Sequence, residues 1–498
     1  MLAVTSCVLN RSALRGFWCA IVGASATLAP GALAQTPEVA GAQTPEAVED
    51  AVERPAPPAP APRPALQMLR FSEDWSVLRG QELRGLDRLK FIPLDEEERV
   101  FLSVGGQQRL RFERFENFGF NPANDDTYLL SRTRLHMDLQ AGEHLRAFVE
   151  VISANTTGRD LPGGKRPLDV DTFDLLNAFG DVRFSLDDDA RLTLRLGRHE
   201  LLFGRQRLVS PLDWVNSRRT FEGVSAILDW ADWRISGFWT RPVTVRKYDW
   251  NKAESGGQFF GVYAATKPGP VGFDLYWLGV DRDRTTIASS TGSEHRHTLG
   301  ARSHGLIAET GLDFDVEAAL QFGRHDGRDV FASMFSAEVG YRFTGAPWRP
   351  RLSAGFDYAS GDRNAGNGEA GTFNQLFPLG HAFFGAVDLV GRQNIVAARV
   401  GLSVSPHETL TLSADGHFFW RAETGDALYN AGGGVVRGPA PGASREVGQE
   451  LELAARYNPG RGWSLMAGYS RFFAGKFIED TGPSEDVDFL FTSVQFTF

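Results

Sequence analysis

SRTRLHMDLQ, residues 131–140, alternates without interruption: Ser131, Thr133, Leu135, Met137 and Leu139 fall on one side, Arg132, Arg134, His136, Asp138 and Gln140 on the other. Only an extended strand places successive side chains on opposite faces, so this stretch predicts a strand with one mainly apolar face and one charged face. LDFDVEAALQF (312–322) repeats the pattern, with Leu312, Phe314, Val316, Ala318, Leu320 and Phe322 opposed to Asp313, Asp315, Glu317 and Gln321. Marking every such segment predicts strands at 100–116, 128–140, 145–153, 172–186, 190–200, 221–230, 233–241, 257–266, 271–280, 295–304, 312–323, 330–343, 348–359, 393–404, 409–420, 447–457, 463–473 and 488–498. That is about eighteen, an even number.

The connections carry the next step. Short ones (LDDDA, WAD, KPGP, SPHET, NPGRG) alternate with long polar ones at 154–171, 201–220, 241–256, 281–294, 360–392, 421–446 and 474–487. This asymmetry is that of a transmembrane antiparallel β-barrel with short periplasmic turns and long extracellular loops. Aromatic residues near strand ends (Trp230, Trp233, Trp239, Trp277, Trp348, Tyr358, Trp420, Tyr457) fit interfacial girdles. The last strand, DFLFTSVQFTF, ends on Phe498, as chains addressed to the outer membrane do. A soluble sandwich or β-helix would have no reason to alternate its loop lengths.

Composition agrees. Residues 1–34 read as a secretory signal, with Arg11 and Arg15 before an apolar run and Ala32-Leu33-Ala34 as the cleavage site. Cys7 and Cys19 both lie inside it, so disulfides and thiolate chemistry are not expected beyond it. Residues 35–70 read as a Pro/Ala-rich disordered periplasmic linker, and 71–498 as the barrel. The chain's net charge is −10, and losing a leader with two arginines and no acids makes it more negative, the wrong sign for nucleic acid. Beyond the signal no apolar run approaches the roughly 18 residues of a spanning helix.

Against this acidic background GRHELLFGRQRLVSPLDWVNSRRTFEG (197–223) carries Arg198, Arg205, Arg207, Arg218, Arg219 and His199 against three acids. A charge facing lipid near the midplane costs about 2–4 kcal/mol, so strand arginines must point into the lumen. With Arg109, Arg111, Arg132, Arg134 and Arg195 of the first strands, they suggest a basic constriction, because a guanidinium matches a carboxylate bidentately and stays charged. The competing reading for any single arginine is bracing against Glu113, Asp138, Glu150, Asp181, Asp313, Asp315, Glu317, Glu450 or Glu452. That reading is favoured residue by residue; the constriction is favoured for the cluster.

Catalysis is not expected. G-x-S-x-G and H-E-x-x-H are missing from the sequence, and His199, Ser210 and Asp213 are ordinary company in a polar loop. His295 and His297 share a strand face but lack a third metal ligand. The acid-rich loops 121–127 and 360–369 lack ordered calcium-ligand spacing. No cofactor or metal is expected.

Five stretches resemble the bacterial alginate-export outer-membrane barrel family: EDWSVLRG (73–80), LKFIPL (89–94), VFLSVGGQQRLRFERFENFGF (100–120), LRLGRHELLFGRQRLVSPLDWVNSRRTFEGV (194–224) and YASGDRNAGNGEAGTFNQLFPLGHAFFGAVDLVGRQN (358–394). The resemblance implies an eighteen-stranded monomeric barrel in the lipid of a Gram-negative outer membrane. Its lumen would be Arg-rich, passing an anionic polysaccharide, a linear polyuronate, outward with a periplasmic export scaffold. By position, the lumenal arginines include Arg109, Arg111, Arg132, Arg134, Arg195, Arg198, Arg205 and Arg207. The loop from Ser360 to Gln393, with Asp362, Arg363, Phe373 and Asn374, becomes a gating or plug loop. Two functions stand beside it: an anion-selective porin taking up small organic acids or sugars, and a structural or adhesive barrel.

Overall fold

The computed structural model describes residues 63–498 except 288, 289, 308 and 365; the expected signal and most of the linker lie outside the described residues. Eighteen antiparallel strands form the wall. They are β1 (Val100–Glu116), β2 (Asp126–Ala141), β3 (Leu145–Thr157), β4 (Asp171–Asp187), β5 (Ala190–His199), β6 (Phe221–Trp230), β7 (Trp233–Thr244), β8 (Gly257–Thr266) and β9 (Val271–Ile287). The wall continues through β10 (Ser290–Ile307), β11 (Leu312–His325), β12 (Arg328–Arg342), β13 (Arg351–Ala359), β14 (Ile395–His407), β15 (Leu410–Arg421), β16 (Glu446–Gly460), β17 (Trp463–Ala474) and β18 (Val487–Thr497). Each pairs with its sequence neighbour, and β18 closes on β1 from Gln107↔Thr497 to Glu116↔Asp488. Closure leaves no unpaired edge, the condition for a sheet to stand in lipid.

Strand parity sorts the side chains as the sequence predicts. On β2, Arg132, Arg134, His136, Asp138 and Gln140 are buried inside while Leu135, Met137 and Leu139 are exposed outside. On β11, Asp315, Glu317 and Gln321 are inside and Leu320 and Phe322 outside. Trp239, Trp277, Trp348, Trp420 and Tyr457 present their rings outward, but Trp233 is buried.

One connection departs from expectation. The loop expected at 281–294 is largely strand, because β9 and β10 continue through Thr286↔Thr291 to Ile287↔Ser290. That far out both faces are wet, so a strand there has no reason to alternate. The β11–β12 hairpin turns on Asp326 and Gly327, both with positive φ (51° and 75°), as a two-residue turn between twisted strands requires.

Both ends of the barrel wall lie at the rim of short turns. There residues 69–98, ahead of the wall, fold into the lumen. Phe71 meets Phe148 and Phe179 edge-on at centroid distances of 5.7 and 5.2 Å. Arg70 pairs with Glu73 at 2.9 Å and donates to the Phe498 carbonyl. Trp75, Leu78 and Phe91 pack on Phe101. Lys90 Nζ reaches the Val104 carbonyl at 3.0 Å, across Gly105, where a Cβ would lie 2.3 Å from that nitrogen. The segment therefore fills the periplasmic end beside β1–β5.

Candidate functional site

Two long connections enter the lumen from the other rim. The first, residues 200–220, leaves β5 at His199 and crosses to the opposite wall. Its tip hangs on β1 and β2: Arg109 donates to the carbonyls of Asp213 (2.9 Å) and Val215 (2.7 Å), and Arg111 to that of Trp214. Arg132 donates to the same Asp213 and Val215 carbonyls and pairs with the Asp213 carboxylate at 2.8 Å. Arg207, fully buried, holds Asp315 (2.7 Å) and Glu317 (2.9 Å) of β11. β2 and β11 are nine places apart in a ring of eighteen, so this segment straps the lumen across its diameter.

The remaining arginines singled out by the sequence are also engaged. Arg134 pairs with Glu150 (2.9 Å), Arg195 with Asp181 (2.8 Å) and Arg198 with Asp174 (2.8 Å) and Glu222 (3.1 Å). Arg205, about one third exposed, meets Glu338 at 3.0 Å and Asp315 at 3.7 Å. Arg218 pairs with Glu200 and Asp213. Arg219 donates only to carbonyls, of Ser210 (3.2 Å) and Pro378 (3.3 Å); burial, with Arg282 adding repulsion, pulls its pKa down to about 10.

The second connection, residues 360–394, packs against the strap. Ser210 N–H donates to the Phe377 carbonyl and Phe377 N–H to that of Leu208, a short parallel pairing, and Leu379 N–H donates to the Gln206 carbonyl. Phe373 is fully buried, and Asn374 exchanges hydrogen bonds with Gln321 of β11 and donates to Glu294 of β10. Asp362 and Arg363 lie at the outer rim on Arg328 and Glu423. Arg392 holds Asp357 at 2.5 Å. Gly385 has φ +87°, a conformation that strains a side chain, and a Cβ there would also push aside the Glu450 carboxylate, whose Oε2 lies 2.2 Å away. The side chain joining the two connections is Trp214: His381 stacks on it at 3.7 Å, Arg111 lies 4.3 Å from its ring centre, and Phe491 meets it edge-on.

A cavity of about 460 Å³ lies between these connections and the wall of β14–β18 and β1. Arg109, Arg111 and Trp214 border it on one side; Arg399 of β14, Asp415 and His417 of β15, and Glu452 and Arg456 of β16 on the other. Arg399 pairs with Glu338. Arg456 has no ion pair among the described residues, and neither has Asp415. Of the cavity's arginines the sequence reading named only Arg109 and Arg111. The parity of β14 and β16 already puts Arg399 and Arg456 inside, and that was the available signal.

The other sequence candidates are not brought together. His199 bonds to Ser225 Oγ at 2.8 Å, Ser210 to Gln206, and Asp213 to arginines. His295 meets Asp281 on the outer face and His297 stacks on Trp277. In the two acid-rich loops Asp125, Asp126 and Asp362 accept backbone amides, and among the described residues no His/Cys/Asp/Glu cluster could hold a metal.

The family model for alginate export matches residues 100–491. No curated protein matches the chain. Three solved Pseudomonas aeruginosa structures resemble it. OpdK with vanillate is 9% identical, covers 79% of this chain and 98% of its own, and gives a TM-score of 0.53. OccD3 (OpdP) is 12% identical, with 82% and 93% coverage and a TM-score of 0.52. OccK8 (OprE) is 12% identical, with 80% and 98% coverage and a TM-score of 0.51. At such identities the likeness is one of fold.

Proposed function

Because the chain belongs to the alginate-export family, we propose that it is an outer-membrane channel passing an anionic, alginate-like polyuronate across a Gram-negative outer membrane. The observation that carries this reading is the cavity beside the strap, whose rim holds the guanidinium groups of Arg109, Arg111, Arg399 and Arg456. A uronate carboxylate matches a guanidinium fork, which binds it bidentately and stays charged. Of these four, Arg456 is the one with both an exposed side chain and no ion pair, and it stands nearest the rim of short turns. A scaffold delivering polymer would meet this rim. The strap arginines Arg205 and Arg207, with Arg134, Arg195, Arg198 and Arg218, hold acids and so set the shape of the path; Arg132 holds the Asp213 carboxylate as well as loop carbonyls, and Arg219 holds loop carbonyls.

A second reading, uptake of small organic acids, is favoured by the wiring of the strap to both walls, which leaves room for a few sugar units at most. Single-channel currents of the purified protein in a planar bilayer separate the two. Anion selectivity with block that strengthens from short to long uronate oligomers is expected of the polyuronate conduit. Block without length dependence fits the small-acid channel, and a cation-selective pore indifferent to uronates sinks the first reading.

A further inference from the structure

The lumenal acids of β11–β13 are all claimed by arginines: Asp313 by Arg351, Asp315 by Arg207 and Arg302, Glu317 by Arg207, Glu338 by Arg205, Arg351 and Arg399, Asp357 by Arg392. On β15 and β16 the arrangement changes. Asp415 lies directly opposite Glu452, and His417 opposite Glu450, on the same inner face. Like charges facing each other across strands repel unless a cation sits between them. Among the described residues Asp415 has no ion pair and Glu452 has only His417 Nε2 at 3.9 Å; the nearest guanidinium whose field reaches both is Arg399, which is bonded to Glu338. His417 is 3% exposed, borders the cavity, and its Nε2 lacks a hydrogen-bond partner. Behind it Glu450 accepts the Val387 amide on one oxygen and leaves the other unpartnered.

We infer that Asp415, His417 and Glu452 form a subsite for the primary ammonium group of a permeating solute. An ammonium has three donors on a compact centre, and two carboxylates with a neutral imidazole nitrogen offer three acceptors. The inference rests on the reading of this cavity as the solute path and adds a substrate class to it. Arg456 lies four residues along the same face of β16, about 13 Å away at strand rise. A solute bearing both an amine and a carboxylate therefore meets a separate counter-charge for each, in the order Arg456 and then the acid pair from the periplasmic side.

The test uses the full chain in a planar bilayer, with 6-aminohexanoate, hexanoate and potassium as probes. In the unaltered protein 6-aminohexanoate should block at a concentration about tenfold or more below that of hexanoate, the scale of a charged hydrogen bond. The advantage should vanish in the D415N/E452Q double variant, with folding checked by heat-modifiable electrophoretic mobility; D415N alone serves if the double variant does not fold. Equal block by the two probes, an advantage that survives the substitutions, or its loss to potassium at the same concentration as the amine would overturn the subsite. Uronate block in the same bilayers keeps the two claims apart. Block by uronates without any amine preference removes only the subsite, whereas indifference to every solute removes the path itself.

Discussion

The two halves of the lumen spend the same residue types differently. Across β9–β13 the carboxylates are matched by guanidiniums, two of them, Arg205 and Arg207, supplied by the strap. Across β15–β16 the carboxylates face an open cavity with a histidine between strands and, among the described residues, no arginine in an ion pair with Asp415 or Glu452, Arg399 being held by Glu338. Matched buried charges fix geometry, because neither partner can leave without stranding the other. Unmatched charges beside water remain free to meet something that passes. On the proposed reading of the cavity as the solute path, the contrast divides the lumen into a half that holds the channel's shape and a half that meets its cargo.

The strongest way to break this division is Arg207→Leu. It removes the closer of the two strap guanidiniums on β11: Asp315 keeps Arg302 and the more distant Arg205, but Glu317 keeps only the Tyr276 hydroxyl, and losing one partner of a buried pair costs about 3–5 kcal/mol. Asp415→Asn, by contrast, relieves a like-charge contact and should change stability by less than about 1 kcal/mol. Equilibrium urea unfolding of both variants in lipid decides the matter: similar losses would mean that the two halves do not differ in the way proposed.

A smaller effect is expected from Arg132→Met at the other end of the strap. It removes bonds to the Asp213 carboxylate and to the carbonyls of Asp213 and Val215, while Arg109 still holds both carbonyls. A loss of about 1.5–3 kcal/mol follows for hydrogen bonds to a charged group. Single-channel recordings should then show larger and noisier currents as the Trp214 tip lifts. Quiet currents at the original amplitude would show that Arg109 and the stack on His381 suffice.

Most of the wall was legible in the sequence because parity is a local property: Leu135, Met137 and Leu139 against Arg134, His136 and Asp138 need no tertiary knowledge to sort. Parity fails where neither face touches lipid, as at Thr285–Ile287, which the sequence leaves in a loop and the structure puts in β9. Pairing is not local at all. Arg207 and Asp315 are 108 residues apart and meet only because the barrel closes and the strap crosses it. Sequence spacing could find the arginines of 197–223 but not that they answer acids on β4, β11 and β12. The N-terminal residues 69–98 showed no periodicity to place them inside the wall; Phe71 is held there by Phe148 and Phe179, two strands contributing one ring each.

Lys90 sharpens the comparison from outside both halves, in the segment beside β1–β5, where it is a cation without an ion pair among the described residues. Its ammonium donates to the Val104 carbonyl and lies 5.2 Å from the Trp75 ring centre, and it has no ion pair among the described residues. Burial pulls its pKa down to about 8; nearby Arg70 adds to the shift and Glu73 opposes it. Between that value and the 10.5 of a free lysine, a released N-terminal segment holds a proton that the docked one has given up. Docking is therefore weakest below about pH 8 and strengthens as pH rises toward 10.5, the reverse of what an ion-paired lysine would give. Hydrogen-exchange protection of residues 71–91, corrected for intrinsic rates, should rise over this window, and Lys90→Met should flatten the dependence. A parallel rise in the variant would assign the pH response to another group, whereas a fall in the unaltered protein would mean that Lys90 is paired after all and that the N-terminal segment, like β9–β13, admits no unmatched charge.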